Sequence, residues 1–182
     1  MEKFSTFKKY FLYFLMYSVI GWAYEVFLEV VVYRWGFSDR GVLTGPYCPV
    51  YGAGALIFLF AIYPLINKKP LGKRLCMLPL VVLLCALSAT AVELIASYIC
   101  ELCTGSWPWQ TYADYTYNFQ ARIALSPSIR FGIGGAVFLY VLQPLFERMT
   151  DKLGEKRINT VFIVLGALFL VDLLYFVIKT AL

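Results

Sequence analysis

Five carboxylates lie inside apolar blocks that would otherwise suit a lipid bilayer, and three of them, Glu25, Glu93 and Asp172, come from three different blocks. An ionisable group at membrane depth is costly, and it is normally retained because it is paired or because it handles a solute, an ion or a proton. Each of these three falls roughly two-thirds of the way along its block at the helical rise, so three helices running in the same direction bring three carboxylates to one level. Two of them sit on polar stripes. Ser18, Trp22, Glu25 and Glu29 share one helical face, as do Thr90, Glu93, Ser97 and Glu101. The cations belong to other segments. Arg40 and Arg122 precede the second and fourth blocks, and Arg130 stands near the start of the fourth. A guanidinium is the natural partner of a carboxylate out of water, through paired N–H donors. The pattern predicts an outward-facing polar chamber between two hairpins, with Glu25, Glu29, Glu93, Glu101 and Asp172 facing Arg40, Arg122 and Arg130. Trp22, Tyr47, Tyr51 and Asn118 would add contacts to a bound polar or charged solute.

The elements that must position these groups are membrane helices. The chain is 61% hydrophobic and 15% charged, far more apolar than a soluble domain. Apolar segments cover roughly 10–33, 47–66, 75–103, 123–146 and 158–178, each near the length a bilayer requires. We therefore expect an all-α, polytopic membrane bundle of about five helices in a single domain. Lys3, Lys8 and Lys9, then Lys68, Lys69, Lys73 and Arg74, then Arg148, Lys152, Lys156 and Arg157 all fall on one side of that arrangement. The positive-inside rule makes that side cytoplasmic, with the N-terminus inside and the C-terminus outside. The first block carries Glu25 and Glu29 and lacks a small-residue cleavage site, so it does not read as a cleaved leader.

A repeat is visible within the chain. Residues 51–66 align without gaps on 131–146, matching Gly52 with Gly132, Gly54 with Gly134, Phe58 with Phe138 and Pro64 with Pro144. Upstream, Ala23-Tyr-Glu25 resembles Ala91-Val-Glu93. Two parallel helical hairpins, about 10–66 and 75–146, plus an added helix at about 158–178 are expected. The glycines Gly132, Gly134 and Gly135 could seat a neighbouring helix of the same chain or of a second copy.

The lead-in to the second block, Arg40-Gly-Val-Leu-Thr-Gly-Pro-Tyr-Cys-Pro-Val-Tyr-Gly52, cannot form regular helix, yet it is too apolar for an ordinary loop. Irregular backbone at membrane depth is tolerated where it lines a cavity or is buried in protein. Broken or re-entrant lead-ins to helices two and four are therefore expected.

Three stretches carry a family resemblance: Tyr-Ser-Val-Ile-Gly-Trp-Ala-Tyr-Glu at 17–25, the 40–52 run, and Asn118-Phe-Gln-Ala-Arg122-Ile with Ser126 and Gly132. Over most of residues 10–135 the chain resembles the bacterial ABC-transporter permease family known as CmpB-like or ABC-transporter type IV. The resemblance implies small-solute transport. Asp39 stands where the family usually has Asn. Trp109-Gln-Thr-Tyr112 replaces the usual Trp-Asp-Tyr-Ser, with its acid lost or displaced to Asp114.

Other classes are constrained by what is missing. There is no His, no phosphate-binding Gly-Lys loop and no soluble basic module. No cofactor or metal is expected, nucleic acid is not a partner, and an ATP-driven step would need a separate ATPase subunit. Membrane lipids are expected partners, and a homo-oligomer is compatible with the small-residue faces. Cys100-x-x-Cys103 reads either as a redox pair or as two small apolar residues, with Cys48 a further candidate for a disulfide. Two functions compete with transport. One is a membrane enzyme that acts on a lipid or isoprenoid headgroup, and the other is a sensor or scaffold for a partner.

Overall fold

The computed structural model describes residues 2–39, 41 and 43–181. It is an all-α membrane protein. Helix α1 spans Glu2–Phe27 and continues as a π-helical turn over Leu28–Val32. Helix α2 spans Pro49–Ile57, followed by a π-helical turn at Phe58–Ile62 and a 3₁₀ turn at Tyr63–Leu65. Then come a short α3 (Leu71–Cys76), a long α4 (Leu78–Thr104), α5 (Leu125–Val137) with a π-helical turn at Phe138–Leu142, and α6 (Gln143–Ala181). Among the described residues the sheet is one hairpin, pairing Asn118 with Ala124 and Phe119 with Ile123. Thr6–Val32, Leu78–Thr104 and Leu125–Thr180 are long and apolar enough to cross a membrane, and Pro49–Leu65 is a shorter apolar helix.

The polar connector at 147–157, between the fourth and fifth apolar segments, is helical on either side of Gly154. Its sequence, Glu-Arg-Met-Thr-Asp-Lys-Leu-Gly-Glu-Lys-Arg, is polar, but it has no proline and is rich in strong helix formers. Only Gly154 departs from helical geometry, with φ 72° and ψ 160°. The last two apolar segments are thus arms of one helical run, bent at a glycine that tolerates positive φ.

The chain forms two compact units, residues 1–53 with 146–182 and residues 54–145. In the first, aromatic rings join α1 to the C-terminal arm of α6. Phe11 meets Phe162 edge-on at 5.3 Å, and Phe14 meets Phe169 at 5.7 Å. At the basic end, Lys9 pairs with Asp151 at 2.7 Å and Lys8 donates to Asn159 at 2.6 Å. Gly52 of α2 lies against the Phe14 carbonyl and the Ser18 side chain, in a space no Cβ could enter.

In the second unit α4 and α5 pack face to face. A Cβ on Gly132 would come within 2.7 Å of the Val82 carbonyl oxygen and 3.0 Å of Ala86 Cβ, and one on Gly135 would strike Cys85 and Phe58. Val81, Cys85 and Leu139 are fully buried there. Gly54 and Gly134 face open space. Small residues thus set the helix separation at both seats, as they do in membrane packing generally. Phe14, Ser18 and Glu25 stand to Val82, Ala86 and Glu93 at one constant offset. The π-helical turns Phe58–Ile62 and Phe138–Leu142 occupy matching positions in the ungapped alignment.

Candidate functional site

The polar residues form two clusters, one in each unit. In the first, the described residues of 34–48 have no helix or sheet to satisfy their backbone, and such groups need partners. These residues take them from the helices. Asp172 accepts hydrogen bonds from the backbone N–H of Thr44 (3.1 Å) and Gly45 (2.8 Å) and from the Tyr47 hydroxyl. Buried Glu29 accepts from the Ser38 hydroxyl (2.7 Å) and the Ser38 backbone N–H (3.2 Å). Trp22 donates its indole N–H to Asp39 at 2.9 Å, and the Cys48 N–H bonds the Ser18 carbonyl at 2.9 Å. Glu25 accepts from the Tyr51 hydroxyl. Gly41 (φ 108°) permits the reversal within this segment, and Pro49, with no N–H to lose, opens α2. Arg40 lies outside the described residues.

In the second unit, Glu93 is only 8% exposed and accepts from the Tyr112 hydroxyl at 2.6 Å. Thr90 donates to Ser128 at 2.7 Å. Arg122 is held through its terminal nitrogens and its guanidinium faces, while its Nε is buried without a hydrogen-bond partner among the described residues. Its guanidinium bonds Glu101 at 2.5 Å and Ser97 at 3.3 Å, and it stacks on Trp107 (4.0 Å to the ring centre) and Tyr98 (4.1 Å). A tight turn delivers it there. Gln120 and Ala121 are both left-handed, with φ 53° and 54°, a strained choice for residues other than glycine. The surroundings over-determine that turn. Asn118 accepts from the Ala121 N–H at 3.1 Å, while Trp107 and Trp109 donate to the carbonyls of Ala121 (3.1 Å) and Arg122 (2.9 Å). Arg130 donates to the Tyr115 hydroxyl at 2.7 Å. Beside the hairpin an open cleft of about 370 Å³ is lined by Thr116, Tyr117, Asn118, Phe119, Ile123 and Ser128 among others.

A sequence profile of the family described as "Putative ABC-transporter type IV" matches residues 12–177. The chain belongs to this family. Membership extends over the whole helical run, including the C-terminal arm that carries Asp172. No curated protein and no solved structure matches the chain. The membership makes it a multi-pass membrane protein of an ABC-transporter-type family.

Within this member, three acids share a motif. Glu25, Glu93 and Asp172 each accept a hydrogen bond from a tyrosine hydroxyl, of Tyr51, Tyr112 and Tyr47 respectively. Glu101 instead accepts from a guanidinium. A phenol stabilises a carboxylate without cancelling its charge. Tyr112, Trp107, Tyr98 and Ser38 were not among the candidate site residues in the sequence. They sit in connectors or off the polar stripes, where no periodicity marks them. All five cysteines are free thiols.

Proposed function

We propose that this chain is a small membrane permease that binds a polar or charged solute through its tyrosine-held carboxylates. Glu25 with Tyr51 and Asp172 with Tyr47 form the acidic seat of the first unit, and Glu93 with Tyr112 forms that of the second. The carrying observation is that Glu25, Glu93 and Asp172, acids on three different helices, each accept a hydrogen bond from a tyrosine hydroxyl. Arg122, clamped by Glu101, Ser97 and two rings, then serves as a positioning residue that holds the outer hairpin rather than as the solute's partner. The equivalent glycine seats at Gly52 and Gly132 and the matched π-helical turns support an origin by duplication of a two-helix hairpin. The seats would face the extracytoplasmic side, as the charge bias predicts. Energy would come from a separate ATPase subunit, in keeping with family membership and with the absence of a nucleotide-binding loop.

The test is thermal stabilisation of the purified protein in detergent by a panel of solutes, ions and lipid headgroups, with Glu93→Gln and Arg122→Ala alongside. A soluble solute that stabilises the parent but not Glu93→Gln, and that Arg122→Ala still binds at a lower unfolding temperature, supports this assignment. The same solute should then cross the bilayer of proteoliposomes. Stabilisation by an isoprenoid phosphate alone would point instead to an enzyme of headgroup chemistry.

A further inference from the structure

The connector between α2 and α4 carries Lys68, Lys69, Lys73 and Arg74, and no Asp or Glu occurs between Asp39 and Glu93. The cations therefore have no acidic neighbour in sequence, and neither of the ion pairs described above includes one of them. Lys69 Nζ has a thioether contact, 3.3 Å from Met77 Sδ.

Arg74 is different in kind from the three lysines. Its backbone carbonyl accepts a hydrogen bond from the Tyr140 hydroxyl at 2.6 Å, and its guanidinium lies over the Tyr140 ring at 5.2 Å. Its Nε is buried with no hydrogen-bond partner among the described residues. A buried guanidinium N–H left unbonded is expensive, more so than a neutral donor. Nε itself is enclosed, so an anion would be met by the guanidinium's terminal N–H groups. Around it the surface is apolar. Leu71 is 68% exposed and Leu75 54%, and Leu78 continues the series at helical spacing. Four cations, one of them an anchored guanidinium with an orphan donor, thus adjoin three exposed leucines at a membrane boundary.

We propose that this connector binds an anionic phospholipid. The phosphodiester would take the Arg74 guanidinium and the Lys73 ammonium, and the acyl chains would lie on Leu71, Leu75 and Leu78. Lys68 and Lys69 would add attraction to a negatively charged leaflet, which is the field expected on the cytoplasmic side. A free phosphate would satisfy the charge but leave the leucines uncovered, so a lipid is the ligand that matches both halves of the surface.

The experiment uses the full chain in detergent, titrated with short-chain phosphatidylglycerol, phosphatidylcholine of the same chain length, or inorganic phosphate. Unfolding temperature and the lipid retained in native mass spectrometry are read together. Phosphatidylglycerol should stabilise the protein and stay bound, and the other two should do neither. Arg74→Gln should weaken phosphatidylglycerol binding about tenfold. Lys73→Gln, an exposed site that leaves the lipid-free unfolding temperature unchanged, should weaken it severalfold. Equal stabilisation by phosphatidylcholine would overturn the proposal, and equal stabilisation by inorganic phosphate would reassign the site to a soluble phosphate. If Arg74→Gln does not fold, Lys73→Gln decides, and undiminished lipid binding by that variant sinks the idea.

Discussion

The two polar clusters hold their acids with different residues. In the first, the tyrosine that holds Glu25 comes from the neighbouring helix, as Tyr51. In the second, the aligned position is Phe131, which has no hydroxyl, and the donor to Glu93 is Tyr112, from a 3₁₀ turn outside the helices. The lead-ins diverge in the same way. The described residues of 34–48 have no regular structure and lean on Glu29 and Asp172 for hydrogen bonds, whereas 118–124 folds into a hairpin that presents Arg122 to Glu101. What the hairpins share is the seat of a glycine on a helix backbone. Close packing therefore constrains the pair of helices more tightly than the chemistry of the acid's partner does, because a carboxylate accepts a phenol from any direction, whereas a Cβ has nowhere to go.

That comparison can be broken most sharply at the seats. Gly52→Val and Gly132→Val should each cost about 3 kcal/mol or more, since the obstructing atoms include backbone carbonyls that cannot turn aside. Thermal unfolding in detergent measures this. If only one of the two is destabilising, the seats are not equivalent. Arg122→Ala should come next, at about 2–3 kcal/mol, combining two ring contacts with an ion pair discounted because the Glu101 side chain is 43% exposed. Arg122→Lys should recover little of it, because an ammonium cannot stack and bond at the same time.

The tyrosines give a finer test. Tyr112→Phe should cost about 1 kcal/mol by removing one hydrogen bond to Glu93. Adding Phe131→Tyr should restore part of that loss if position 131 can reach Glu93 as Tyr51 reaches Glu25. The absence of rescue in the double variant's unfolding temperature would show that the helix position has lost the acid. The smallest effect is expected at the outward glycines. Gly54→Ala and Gly134→Ala have open space around them and should stabilise by about 0.5 kcal/mol through helix propensity. A loss at either would mean that a second copy or another partner packs there.

Apolar block length was sufficient to read the helical membrane class, because it acts through local composition. The polar stripes were legible for the same reason: Ser18, Trp22, Glu25 and Glu29 recur at helical spacing, and each one bonds a group that its own unit supplies. At 147–157 the connector between the last two apolar segments is helical on both sides of Gly154, since polarity marks a connector but does not unwind good helix formers. What only the tertiary structure decided was the partner of each charge. Arg122 could be an anion site or a clamped ion pair on sequence grounds. Its answer depends on a left-handed turn at Gln120 and Ala121 and on where Trp107 and Tyr98 arrive. Helical periodicity specifies which face a residue is on, but the partner across a gap is set by loop geometry and packing, which have no period to read.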